Sequence, residues 1–166
     1  MTDKNAIMKA QSSELDRIDR AILRELQKDG RIANVELSRR VGLSATPCLE
    51  RVKRLEKSGY IKGYTALVAP EKLAASLLVF VEIRLTRTSP DVFEDFKKSV
   101  IDLPQVLECH LVSGDFDYLV KARVADMVAY RNLLGETLLT LPGVSGSRTY
   151  VVMEEVKESG IIDIPS

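Results

Sequence analysis

NVELSRRVGLSATPCLERVKRLEK, residues Asn34 to Lys57, decides the fold. It divides into two short helical stretches around Gly42, which permits the left-handed backbone that a tight turn needs. Asn34 is positioned to cap the first stretch, where Leu37 and Val41 stack one turn apart. Ser44 is positioned to cap the second, and Pro47 is tolerated there because its missing N–H falls in the first turn. Placing Leu49, Val52 and Leu55 on the buried side at about 100° per residue puts Thr46, Pro47, Glu50, Arg51, Lys53, Arg54 and Lys57 on the opposite side. Short polar residues near the N-terminal end and long basic ones beyond it suit a helix lying in a DNA groove. Ser44 at the helix start joins that candidate surface. Base edges meet the first turns, phosphate meets the basic side chains, and Arg51, Arg54 and Glu50 have donors or acceptors for guanine or cytosine. Cys48, on the flank nearer the core, is assigned to packing.

Upstream, Asp16 begins a helix with Asp19 three residues on. Leu15, Ile18, Ile22, Leu23 and Leu26 share its apolar face, and Gly30 stops it. Residues 1–14 are polar without period and read as an arm. The helix-turn-helix domain therefore spans 15–66. Residues 1–66 hold 14 Lys/Arg against 9 Asp/Glu, leaving 10 against 15 for the rest of a chain that carries 24 of each. A basic module of this kind suits a polyanion.

Downstream, Tyr60–Val68 reads as one or two short strands, and residues 67–76 as a hinge around Ala69-Pro70. Leu77–Thr86 is a strand apolar on both faces at one end, so it should be covered on both sides there. Pro90 to about Leu103 is a helix with Val92, Phe93, Phe96, Val100 and Leu103 inward. Strands Val106–Val112 and Tyr118–Val124 follow, then a helix from Asp126 to about Leu141 and a last strand Arg148–Val156. The order is β-α-β-β-α-β, a ferredoxin-like α+β domain over 77–157 with both helices on one sheet face. The other face would leave Leu78 and Phe80 bare, which points to a homodimer through the sheets. The tail 158–166, ESGIIDIPS, carries no motif.

Apolar content of 45% and charged content of 29% fit a soluble globular protein. The longest apolar run, Ala74–Val81, is too short to span a bilayer, and no charged-then-apolar leader opens the chain. Cys48 and Cys109 fall in different domains and read as thiols in a reducing cytosol. No metal or cofactor is expected. His110 is a packed strand residue, and Gly59-x-x-x-Gly63 lacks the Lys-Ser/Thr of a phosphate loop. The sequence offers little for an enzyme, and a metal site at Asp115 and Asp117 would be underliganded. A sensor acting through protein partners is the alternative to DNA binding.

Four segments, LDRIDRAILRELQKDGRIANVELSRRVGLS, TPCLERVKRLEKSGYIKGYTA, ECHLVSGDFDYLVK and RTYVVMEEVK, lie in the order found in the Lrp/AsnC family of bacterial transcription regulators, which the chain resembles over residues 15–157. The resemblance implies a double-stranded DNA partner and an amino-acid effector, with leucine the expected one. It also implies dimers that assemble to octamers or hexadecamers, and a place in the cytoplasm on the nucleoid. It puts the effector near the loop after the second sensing-domain strand, close to subunit contacts. Here that means Gly114, Asp115 and Asp117, with Leu111, Met127, Tyr150 and Val152 as apolar surroundings. Loop N–H groups could hold a carboxylate and an Asp an ammonium, although Gly-Asp-x-Asp also makes a tight hairpin.

Overall fold

The computed structural model describes residues 15–165, so the arm predicted over 1–14 lies outside the described residues. The described residues form two units, residues 15–67 together with 158–165, and residues 68–157.

In the first unit, α1 (Arg17–Lys28) opens on a reciprocal cap. The Asp16 carboxylate accepts from Asp19 N at 2.8 Å, and the Asp19 carboxylate accepts from Asp16 N at 3.3 Å. Helix α2 (Asn34–Arg40) has Ala33 at its cap position and no side-chain cap. Asn34 does other work than predicted: its Nδ2 donates to the Ala45 carbonyl at 2.8 Å, tying the start of the next helix to α2. Gly42, at φ 72°, makes the turn. Helix α3 (Ala45–Lys57) has Ser44 at its cap position, but the hydroxyl makes no cap bond.

The buried stripe of α3 is also shifted from the expected one. Cys48 and Leu55 are buried and Val52 is partly buried, whereas Leu49 is 40% exposed. Cys48, Val52 and Leu55 are spaced i, i+4, i+7, which keeps one line down a helix, and Leu49 is rotated off it. These residues close a small core with Ile22, Leu23 and Leu37. Beyond α3 the predicted strands of 60–68 do not form. Tyr60 N and Ile61 N both donate to the Leu55 carbonyl, and the chain then runs without a ladder partner, with Leu67 97% exposed.

The second unit is an antiparallel sheet in the order β2-β3-β1-β4, from β1 (Leu77–Leu85), β2 (Val106–Leu111), β3 (Tyr118–Val124) and β4 (Val144–Val151). Helices α4 (Pro90–Val100) and α5 (Met127–Asn132) complete the ferredoxin-like order. Alternate residues of β1 and β3 (Val79, Val81, Ile83, Tyr118, Val120, Ala122) bury one face against Phe96, Val100, Tyr130 and Leu133. The single helix expected from Asp126 to Leu141 is three pieces. After α5 comes a π turn over Leu133–Thr137, then a 3-10 turn over Leu138–Thr140. Strand β4 begins four residues before the predicted Arg148 and ends at Val151. The small residues Ser145, Gly146 and Ser147 look like a turn, yet Ser147 and Gly146 pair with Ile83 and Arg84 of β1.

The other sheet face is not the bare apolar patch expected. Leu78 is buried and Phe80 half-buried. Around them lie paired polar groups: Lys121 with Glu108 at 3.1 Å, Tyr150 Oη donating to Glu82 at 2.7 Å, and Arg123 with Glu155.

Gly143 turns the chain into β4 at φ 77°, and a Cβ there would run into the Val92 side chain of α4. Backbone strain and overlap act together, so Gly143→Ala is expected to cost the sensing unit about 1–3 kcal/mol in urea unfolding. A midpoint equal to the parent's would show that Val92 moves aside freely.

Candidate nucleic-acid interface and effector site

The eight α3-side candidates fall into two groups. Ser44, Thr46, Pro47, Glu50, Lys53 and Lys57 are exposed. Four of them, Thr46, Glu50, Lys53 and Lys57, follow i, i+4, i+7, i+11, a single stripe along the helix. Within it Lys53 Nζ rests 3.3 Å from Glu50 Oε1. A stripe of short side chains followed by lysines can enter a groove at its first turns and hold phosphate further on.

Arg51 and Arg54 belong to the flank facing α1. Arg51 is 27% exposed at its side chain, and its Nη1 donates to Asp16 at 2.5 Å and to Asp19 at 2.8 Å. Arg54 Nη2 donates to the other Asp19 oxygen at 2.5 Å, while much of its side chain remains in solvent. Asp19 is itself buried, 2% exposed, so one carboxylate inside the unit takes both guanidinium groups. The Asp19 N–H, then Arg51, hold the Asp16 carboxyl below its usual range, and the Asp16 and Asp19 carboxylates raise the Arg51 guanidinium. Arg40 ties α2 to α1 in the same way, at 3.0 Å from Glu25, and bonds Glu36 at 2.8 Å in its own helix.

Sequence reasoning missed Asp19 and Asn34 as the residues that aim α3. The pair Asp16-x-x-Asp19 was legible as a cap. That the second Asp also reaches two arginines more than thirty residues away had no local signature.

In the sensing unit, the loop from β2 to β3 sits at one end of the sheet. Asp117 is committed there: its Oδ2 accepts from Leu85 N at 2.7 Å, where the β1–β4 register shifts, and its own N–H donates to the Ile83 carbonyl at 3.0 Å. Gly114 and Asp115 are exposed in the same loop, and Leu111, 55% exposed, ends β2 beside them. Met127 starts α5 beyond the opposite end of β3, over a shallow hollow of about 310 Å3 with Val128, Tyr130, Arg131 and Leu134. Tyr150 pairs with Phe80 on the other sheet face, and Val152 N donates to the Leu78 carbonyl.

One chain therefore does not gather the seven candidates. At strand rise, Val152 and the Gly114 loop stand on the order of 20 Å apart. A larger hollow of about 460 Å3, with Gln105, Arg123, Asn132, Glu136 and Thr137 in its lining, includes none of them. Among the described residues no group of His, Cys, Asp and Glu could hold a metal ion, and no helix is long and apolar enough to cross a membrane. Both cysteines are free.

Known proteins resemble both units. Residues 15–62 match the winged helix-turn-helix DNA-binding family, and residues 78–162 match the Lrp/AsnC ligand binding domain. The leucine-responsive regulatory proteins of Klebsiella pneumoniae and Escherichia coli (strain K12) are each 71% identical to this chain over 151 residues, 91% of this chain and 92% of theirs. A transcriptional regulator of Neisseria meningitidis solved as an L-Met complex superposes with a TM-score of 0.85 at 40% identity, covering 90% of this chain and 96% of that one. An AsnC family transcriptional regulator of Agrobacterium tumefaciens gives a TM-score of 0.84 at 34% identity, covering 89% and 96%.

Proposed function

The chain belongs to the Lrp/AsnC family of DNA-binding transcription regulators, and we propose that it is one whose assembly and DNA affinity answer to leucine. The exposed stripe from Thr46 to Lys57 carries the DNA half of the reading, because a protein-contact helix has no need of lysines spaced along one solvent face. Thr46 and Glu50 at its start, with Ser44 and Pro47 beside them, meet base edges, and Lys53 and Lys57 meet phosphate. Arg51 and Arg54 act on DNA mainly by holding α3 on α1.

Identity to leucine-responsive relatives and likeness to a regulator solved with L-Met support an aliphatic amino acid as effector. The separation of the candidate groups supports an effector site that is completed between subunits. In this reading Gly114 and Asp115 of one copy meet apolar residues of another, with Met127, Tyr150 and Val152 as candidates. Asp115 is the carboxylate available for an ammonium, because Asp117 is engaged by the backbone of β1. A homodimer, assembling further to octamers or hexadecamers, supplies such contacts. The regulator then works in the cytoplasm, on the nucleoid. Leucine need not touch DNA: by favouring one assembly over another it changes DNA affinity through linkage.

The test is selection of bound fragments from random DNA by the full chain, with and without leucine. A two-fold-symmetric site with half-sites about one helical turn or a multiple apart is expected, its occupancy changing with leucine. Enrichment indifferent to leucine would remove the effector assignment. No enrichment would remove the DNA assignment and put partner proteins first.

A further inference from the structure

The tail 158–166, which carries no motif, belongs to the DNA-binding unit although it follows the sensing unit in the chain. Gln27 of α1 grips it at two points. Its Nε2 donates to the Ile162 carbonyl at 2.9 Å, and its Oε1 accepts from Ile162 N at 2.7 Å, much as a neighbouring strand would. Arg24 Nε donates to the Ile164 carbonyl at 3.0 Å, and the Ile164 side chain packs on the Ile22–Leu37–Cys48–Leu55 core. The chain just before the tail is held on the sensing unit. Val152 N donates to the Leu78 carbonyl, and Glu155 pairs with Arg123, a β3 side chain that is 8% exposed.

We propose that the outer face of α1 is a docking groove for residues 162–165, and that this strap is a second connection through which the sensing unit acts on the DNA-binding unit. The sensing unit is joined to its neighbour at both of its ends, near residue 67 and near residue 158. A unit held by one extended linker can reorient without cost to what it is tied to. With a second clamp, a movement of the end of β4 pulls on residues 158–165, and through them on α1 and the Asp19 carboxylate that seats α3.

The proposal rests on the leucine-responsive reading, and full-length wild type is the first control. If wild type fails to bind DNA or to respond, the earlier reading fails and not this one. In a wild type that responds, Ile164→Asp and Gln27→Ala are measured for DNA affinity with and without leucine, for leucine binding by calorimetry, and for hydrogen exchange of the α1 amides. The expected result is faster exchange in α1, leucine binding and leucine-free DNA affinity retained, and loss of the leucine-dependent change in affinity. Ile164→Val should restore the response, because the groove needs only an aliphatic side chain. An unchanged response in both Ile164→Asp and Gln27→Ala would overturn the proposal. So would a fall in DNA affinity with the leucine ratio preserved, since that is the signature of a tail that merely completes the fold.

Discussion

Asp19→Ala is expected to cost the DNA-binding unit about 3 kcal/mol, although Asp19 cannot touch DNA. The side chain is buried and accepts from Arg51, from Arg54 and from the Asp16 N–H. Breaking a buried pair commonly costs about 3–5 kcal/mol, because the partner is left desolvated. The lower end applies here, since Arg51 keeps Asp16 and most of Arg54 already meets water. Urea unfolding followed by hydrogen exchange in α1 and α3 measures the loss unit by unit. Operator affinity should fall with it, because α3 is no longer held on α1. Asp19→Asn, which keeps an acceptor for the cap but not the charge, should fall between the two.

The neighbouring Asp16 adds a pH signature. Its folded carboxyl is held below the unfolded value, so its contribution is present at neutral pH and is lost as pH falls through that lowered value. A change in stability within roughly 0.5 kcal/mol for Asp19→Ala would show the buried carboxylate to be dispensable.

The order of elements was legible because each rests on a local pattern. The i, i+4, i+8 spacing of Ile18, Ile22 and Leu26 makes α1, and the alternation in Leu77–Leu85 makes β1. What was not legible depends on partners distant in sequence. Nothing near Arg51 says that Asp19 lies against it. That Asp117 accepts from the Leu85 N–H depends on β1, more than thirty residues earlier in the chain, and had no local signature. Tyr60–Val68 has the composition of a strand, yet a strand exists only where a ladder partner does. The tail has three isoleucines in no recognisable period, because what binds it is the side of another helix and not its own repeat. Asp115 and Leu111 sit far along the sheet from Met127, and no pattern within one chain could show that distance.

The contrast between two kinds of cation on α3 decides the DNA reading. Lys53→Ala combined with Lys57→Ala is expected to lower the log–log salt slope of DNA binding by about 0.9 per phosphate contact, hence about 3.6 when a dimer loses four. At 0.1 M salt that corresponds to a loss on the order of a thousandfold, shared by specific and non-specific sites, since phosphate carries no sequence. Both side chains are exposed, and neither bonds α1, so unfolding should stay within roughly 0.5 kcal/mol of the parent. Arg51→Ala should behave oppositely. It loses affinity together with stability, and its salt slope changes little because it contributes position and not a phosphate contact. Glu50→Gln should leave the slope alone and alter base preference by about 1–3 kcal/mol at one position. A double lysine variant with the parent's slope would take α3 out of the groove. An Arg51→Ala variant of full stability and reduced slope would return that guanidinium from the Asp16–Asp19 pair to the DNA.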